Sequence, residues 1–262
     1  MQFELTLLGT NSAVPVPDRF TTCQVLTVAN RSYLIDCGEG AQIRLQQYRL
    51  RRNRLRQAFI SHLHGDHIFG LIGLLTSYGL NARREPLEIF SPAGLEEIIR
   101  VQLRHSGGLP FELQFHTVDP TRHARIFSDR QVEVFTLPLK HRIPTTGYLF
   151  RERERLPNIR PEKIEAYDIP YQKIPAIKEG ADLHLADGRV IPHEALTIPS
   201  PPPRSFAFCS DTMYEESLAP LIRGVDLLYH EATFCEDHRA QAEVSMHSTA
   251  RDAAKIARLA GV

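Results

Sequence analysis

The sequence predicts an α/β fold in which sheets are flanked by helices, and three observations carry that reading. Runs of apolar–polar alternation recur along residues 1–150, turn residues separate them from segments with helical spacing, and strand patterns resume after one long irregular stretch. Phe3, Leu5 and Leu7 alternate with polar residues as one face of a half-buried strand. Cys23–Ala29 and Ser32–Asp36 read as two further strands, after which Cys37-Gly38-Glu39-Gly40 turns the chain into a helix over Ala41–Tyr48 with Ile43, Leu45 and Tyr48 as its apolar positions. Gln57–Ser61 reads as a short strand and Asp66–Ser77 as a helix. Leu87–Phe90 then leads into another helix, for which Ser91 is placed as N-cap and Pro92 as the first helical residue. Strands follow at Glu112–Val118, Val132–Leu137, Gly147–Phe150, Phe206–Ser210 and Asp226–Tyr229, and a helix over Ser248–Ala260 comes last.

Residues 151–197 differ from their surroundings. They hold five prolines, eight Lys+Arg and nine Asp+Glu with little apolar periodicity, too long a stretch for a plain connection. They read as an insertion that projects from a domain built of residues 1–150 and 198–262, or as a solvated loop. Pro199 and Pro201–Pro203 stiffen the return.

Composition narrows the function. With 42% apolar and 24% charged residues the chain has ample material for a core. Thirty-one basic residues balance thirty-one acidic ones, so any nucleic-acid contact must come from a local patch rather than from bulk charge. Four separated cysteines without a CxxC pair fit reduced thiols in a cytoplasmic setting. The first residues lack a basic segment followed by an apolar one, and the longest nearly unbroken apolar run, Ile68–Leu75, is far short of the ~20 residues a membrane span needs.

The strongest signal is Ser61-His62-Leu63-His64-Gly65-Asp66-His67. In extended backbone His62 and His64 point the same way, Gly65 permits a tight turn, and Asp66 and His67 return from the start of a helix. Two imidazoles from one side and a carboxylate plus an imidazole from the other suit two cations ~3.5–4 Å apart. Imidazole and carboxylate without thiolate favour Zn²⁺, with manganese or iron as alternatives.

HxHxDH is the signature of the metallo-β-lactamase fold, a four-layer αββα sandwich. The segments LLGTNSAVP, IDCGEGAQIRL, FISHLHGDHIFGL, SDT and HEATF together resemble ribonuclease Z, the endonuclease family that removes the 3′ trailer from precursor tRNA. The resemblance spans the whole chain. It implies that His62, His64 and His141 hold one zinc, that Asp66 and His67 hold a second, and that Asp211 of the SDT segment touches both. Asp36 is similar to a carboxylate that orients a ligand histidine, and an Asx-turn would explain it equally well. The resemblance also implies a further histidine on a strand beyond the last helix. None follows position 247, so the second zinc is expected to bind weakly, either because the sequence is cut short relative to the family or because the site is impaired. The intact preceding pattern favours the first, and a sheet strand is then left unfilled, with poorer stability expected at that edge.

In the implied mechanism Asp66 holds or deprotonates the attacking water, His247 protonates the leaving oxygen, and Glu231 raises the pKa of His247. For the substrate, the run Arg49, Arg51, Arg52, Arg54 and Arg56 suits a phosphate backbone. Residues 151–197 resemble the arm with which the family clamps tRNA. They have no Gly-Pro pair and a charge of −1 (eight minus nine), and Tyr167 and Tyr171 offer aromatic faces that pack on a nucleoside or on the arm itself. A homodimer follows by the same resemblance. Two other readings remain: a hydrolase of a small phosphodiester or ester, and a non-catalytic RNA-binding member of the fold.

Overall fold

The computed structural model describes residues 2–105 and 107–262, with the side chain of Arg52 outside the described set. Two compact units result, Met1–Glu152 with Arg204–Val262, and Arg153–Pro203.

The first unit opens with β1 (Phe3–Gly9), β2 (Cys23–Val28) and β3 (Arg31–Ile35), followed by α1 (Ala41–Gln47), β4 (Leu55–Phe59), α2 (Gly65–Leu80), β5 (Leu87–Ser91), α3 (Leu95–Arg104) and β6 (Leu113–Thr117). These six strands form one sheet in the order β1-β2-β3-β4-β5-β6, parallel from β3 to β6. Next come β7 (Arg125–Ser128), β8 (Val132–Pro138) and β9 (Thr146–Glu152). The second unit contains β10 (Asn158–Ile159), α4 (Pro161–Ala166), α5 (Ile174–Lys178), β11 (Leu183–His184), β12 (Val190–Ile191), α6 (His193–Leu196) and β13 (Thr197–Ile198). The chain then returns to the first unit with β14 (Ser205–Cys209), α7 (Leu218–Leu221), β15 (Leu227–His230), α8 (Arg239–Ser245) and α9 (Ala250–Ala260). The second sheet has the order β15-β14-β9-β8-β7.

Strand alternation distributes side chains into four layers. Leu26, Val28, Tyr33, Ile35 and Phe59 from the first sheet meet Val132, Val134, Tyr148, Phe150, Phe206 and Phe208 from the second. Their intervening neighbours Val25, Leu34 and Ala58 face the other way, onto the cluster that includes Leu45, Leu71, Leu75 and Ile99 of α1, α2 and α3. Leu149, Ala207 and Cys209 likewise face outward onto Leu218, Ile256 and Ala260 of α7 and α9. The result is the αββα sandwich. Phe59 is its hub, with ring centroids 4.9 Å from Phe90, 5.4 Å from Tyr148 and 5.2 Å from Phe150. Tyr148 Oη donates to the carbonyl of Ile60 at 2.6 Å, tying the sheets beside the strand that leads to the histidines.

Local departures from the sequence reading have physical causes. Leu7 is exposed and Leu8 buried, because a bulge between Leu7 and Gly9 switches the face of β1. In α1 only Ala41 and Leu45 are buried, while Ile43 and Tyr48 face solvent. Ser91 is no helix cap: it pairs with Thr117 as the last residue of β5, and α3 starts at Leu95 after Gly94 with φ 106°. α9 begins at Ala250, where Thr249 and Asp252 form a capping box.

The second unit has its own small core of Ile169, Ile177, Leu183 and Leu196. Two short ladders, β10–β13 and β11–β12, hold it together. Tyr167 packs against that core, whereas Tyr171 is 81% exposed.

Candidate metal centre

The site stands where several strands of both sheets end, the position at which parallel strands leave side chains free to converge. Asp36 follows β3, His62 and His64 follow β4, His141 lies beyond β8, Asp211 beyond β14 and Glu231 beyond β15. His64 is the residue before α2, in extended backbone, so Asp66 and His67 enter on the first turn of that helix.

The donors are spread along the chain from His62 to Asp211, yet their atoms meet. One atom each from His62, His64, His141 and Asp211 lies within 4.8 Å of the others. His62 Nε2 is 3.0 Å from His64 Nδ1, and His141 Nε2 is 3.4 Å from the same atom. Asp211 Oδ2 closes this group at 3.6 Å from His62 Nε2 and 3.8 Å from His141 Nε2. The other oxygen, Oδ1, is 3.5 Å from His67 Nε2, which in turn is 3.6 Å from Asp66 Oδ2. A tetrahedral cation with bonds of about 2.0–2.1 Å needs donors about 3.3 Å apart, close to the spacing of the four-donor group, and His67 stands at comparable distances from Asp211 and Asp66. The two carboxylate oxygens of Asp211 divide between a four-donor group and a three-donor group.

Hydrogen bonds behind the donors fix their orientation. His67 Nδ1 donates to Asp36 Oδ2 at 2.7 Å, His62 Nδ1 to Ser61 Oγ at 2.9 Å, and His141 Nδ1 to the carbonyl of Met246 at 2.9 Å. Asp36 is fully buried and also accepts from Ser61 N at 2.7 Å and Ser61 Oγ at 2.8 Å. The Ser61 hydroxyl meets Ser210 Oγ at 3.0 Å, joining the ends of the two sheets. Asp66 Oδ2 accepts from the Ala13 amide at 2.8 Å.

The electrostatics suit cation binding. Burial, reinforced by the charge of His67, pushes the His62 imidazole down to about 2. Burial also lowers His64 and His141, so these three rings are neutral and able to coordinate. Burial opposes ionisation of Asp211, but its bond to His67 and the surrounding imidazoles hold its carboxyl well below the usual range. His67 is raised, since Asp36 and Asp211 together outweigh its burial.

His247, after α8, stands beside this cluster. Its Nε2 is 4.0 Å from Asp211 Oδ2, and its Nδ1 donates to Glu231 Oε1 at 2.8 Å. Burial works against its charge, but the bond to Glu231 and the field of Glu231 and Asp211 raise its pKa overall. Glu231 is itself a buried hub, accepting from the amides of Thr212, Ser248 and Thr233.

The remaining predicted residues lie elsewhere. Arg49, Arg51 and Arg54 sit at the start of β4, whose far end carries His62, so about 20 Å of strand separates them from the cluster at ~3.3 Å per residue. Sequence adjacency to the histidines is not spatial adjacency here. The Arg52 side chain lies outside the described residues. Tyr167 and Tyr171 belong to the second unit. Sequence reasoning missed Ser61, for which a short polar residue ending a strand just before His62 was a usable signal. It also missed the Ala13 amide and the Met246 carbonyl, which leave no trace in residue type.

Two facing sheets with helices outside and a His/Asp cluster at their strand ends define a metallo-β-lactamase-fold hydrolase. Solved structures agree: human tRNase Z, short form, superposes with a TM-score of 0.73 at 27% identity, covering 98% of this chain and 88% of that one. The metallo-β-lactamase fold protein YhfI from Bacillus subtilis gives 0.66 at 17% identity, covering 98% and 82%. The family description Anti-Pycsar protein Apyc1 matches residues 3–152. Sequence relatives extend much further. Ribonuclease Z of Porphyromonas gingivalis strain W83 is 45% identical over 99% of this chain and 86% of its own length, and that of Cytophaga hutchinsonii is 40% identical over 98% and 83%. The chain belongs to the ribonuclease Z family and is an endoribonuclease, a phosphodiester hydrolase. Among the described residues no helix is long and apolar enough to cross a membrane.

Proposed function

We propose that this chain removes the 3′ trailer from precursor tRNA by hydrolysis, with two Zn²⁺ per subunit, as a cytoplasmic homodimer. The observation that carries the reading is the division of donors about Asp211, with the hydrogen-bonded His247–Glu231 pair beside it and His247 Nε2 4.0 Å from Asp211 Oδ2. His62, His64, His141 and Asp211 would hold one cation, and Asp66, His67 and Asp211 the other. An all-imidazole and carboxylate donor set at these spacings fits zinc. When bound, such cations lower the pKa of water and neutralise the charge that builds on the reacting phosphate.

The chain's own residues supply the rest. Asp66, fixed by the Ala13 amide, accepts from the attacking water and orients it. Water oxygen bonds to phosphorus as the bond to the tRNA 3′-oxygen breaks. His247 Nε2 gives its proton to that oxygen, while Glu231 Oε1 holds Nδ1–H and favours the imidazolium. The products are a tRNA 3′-hydroxyl and a trailer with a 5′-phosphate. The folded second unit supports a role as the tRNA-holding arm, with exposed Tyr171 available for contact and Tyr167 committed to the arm's core.

The second reading is a hydrolase of a small phosphodiester or ester, for which the His/Asp cluster of the first unit alone would suffice. Residues 153–203 can be replaced by a short linker, because Arg151 and Ser205 are paired neighbours in β9 and β14. End-mapped cleavage of a 3′-extended precursor tRNA, with zinc counted per chain, tests the proposal. Loss of tRNA cleavage with retained hydrolysis of a small phosphodiester in the linker variant supports it. Failure of the intact chain to release the trailer overturns it.

A further inference from the structure

Beside the histidine cluster lies a cavity of about 630 Å³, lined by His64, Asp66, Asp211 and His247 and also by Phe69 and Arg142. Those last two residues have no part in holding cations or moving protons. From their placement we propose a nucleotide subsite in the cleft wall, in which Arg142 takes a phosphate flanking the cleaved one and the ring of Phe69 stacks on a base. The inference deepens the ribonuclease reading and rests on it.

Arg142 follows His141 directly, yet its side chain is exposed and, among the described residues, makes no hydrogen bond or ion pair. Its neighbour Lys140 behaves differently, with Nζ 2.9 Å from Glu215 Oε2. Arg142 lines a second cavity as well, of about 540 Å³, bordered by Lys140, His141 and Pro144. It therefore stands where two cavities adjoin, and its charge acts on both His141 and His247. A polyanionic strand lying across the cluster and passing from one cavity to the next meets an unpaired guanidinium there. Phosphate is the ligand such a group recognises best.

Phe69 is 64% exposed on the first turns of α2, two residues past His67. The ring rests on the turn itself. A Cβ at Gly65 would stand 2.2 Å from the ring's Cε2, so glycine at this position lets the phenyl lie against the backbone between His64 and Asp66. Among the described residues the ring contributes to none of the apolar clusters of the core. A large apolar side chain held in a charged cleft, next to the atoms that cut a nucleic acid, has the place of a stacking platform for an unpaired base.

Two variants separate the two halves of the subsite. Binding of a fluorescent 3′-extended precursor tRNA is followed by anisotropy in EDTA, so that nothing is cleaved, between about 50 and 200 mM salt. Arg142→Gln is expected to lower the slope of log Kd against log salt by about 0.7, the value of one single-strand phosphate contact, and Arg142→Lys to keep it. Phe69→Leu is expected to weaken binding about 5- to 100-fold with the salt slope unchanged, and Phe69→Tyr to restore it. An unaltered slope in Arg142→Gln, or wild-type affinity in Phe69→Leu, overturns the proposal. So does a change in sedimentation mass in Phe69→Leu, which would give the ring to a contact between copies of the chain. A wild-type chain that binds precursor tRNA but, with zinc restored, fails to cleave it defeats the ribonuclease reading instead, and the subsite falls with it.

Discussion

Asp36→Asn would isolate the proposed second cation position without touching a donor. Asp36 is fully buried, and its carboxylate accepts from Ser61 N at 2.7 Å, Ser61 Oγ at 2.8 Å and His67 Nδ1 at 2.7 Å. Asparagine keeps the shape but offers one oxygen, which the Ser61 amide retains. Its NH₂ group then faces His67 Nδ1, and two donors cannot share that contact. His67 must move its proton to Nε2, the atom that lies 3.5 Å from Asp211 Oδ1 and 3.6 Å from Asp66 Oδ2. A hydrogen bond to a charged group contributes about 1.5–3 kcal/mol, equivalent to roughly 10- to 150-fold in an equilibrium constant. Outer carboxylates of this kind change metal affinity by about 10–100-fold, which agrees. Titrating Zn²⁺ into metal-free protein against a chromophoric chelator resolves the two steps. The weaker step should fall by about 10–100-fold. The step held by His62, His64 and His141 should shift little, through the Ser61 bond to His62 alone. Equal weakening of both steps, or an unchanged second step, refutes the division of donors about Asp211.

Other consequences follow from the same geometry. His247→Ala should lower turnover on precursor tRNA by about 10²–10⁴-fold with zinc per chain unchanged, and loss of zinc would make His247 a ligand instead. Because Asp36 and Asp211 raise His67 against its burial, the metal-free ring is protonated near neutral pH and must lose that proton to coordinate. Calorimetric zinc titrations in buffers of different ionisation enthalpy should show proton release at the second step, and affinity there should rise with pH. Release that persists in His67→Ala would contradict this. At the start of α9, burial resists ionisation of Asp252, but Arg239 at 2.9 Å and the Thr249 contacts depress its pKa. Its stabilising effect is therefore present above the unfolded carboxylate value of about 3.9 and lost as pH falls through the lower folded value. Asp252→Asn should flatten acid unfolding in that window, as read by circular dichroism. Phe59→Ala removes the hub between the sheets and should cost about 3–5 kcal/mol in denaturant unfolding.

Residue type was legible in the sequence where chemistry demands it, and distance was not. Four ligand-type residues between His62 and His67 are dense enough to announce a cation site, because period-two strand geometry and a glycine turn are local rules. The αββα layering followed from resemblance and is explained by inward-facing Leu26, Tyr33, Phe59, Tyr148 and Phe206 alternating with outward-facing neighbours. Phase was harder to read. The bulge between Leu7 and Gly9 exchanges Leu7 for Leu8 in the core, and no propensity marks it. The second unit's core was also hidden, since Ile169, Ile177, Leu183 and Leu196 recur with no single period and come together only through two-residue ladders.

Convergence at the site is a property of topology. Ser61 and Ser210 are 149 residues apart in the chain and 3.0 Å apart in space, because β4 and β14 end at the same place in facing sheets. The arginine run shows the converse: it precedes the histidines in sequence, but β4 carries the chain the full depth of the sheet between them. A strand thus separates what is adjacent and joins what is distant. Arg142, conspicuous for no pattern, becomes prominent only when the ends of β8 and β14 place it beside His247, with no ion pair among the described residues. Charge without a partner in a cleft built to act on phosphodiesters is a structural observation, and the salt dependence of binding is the measurement that turns it into function.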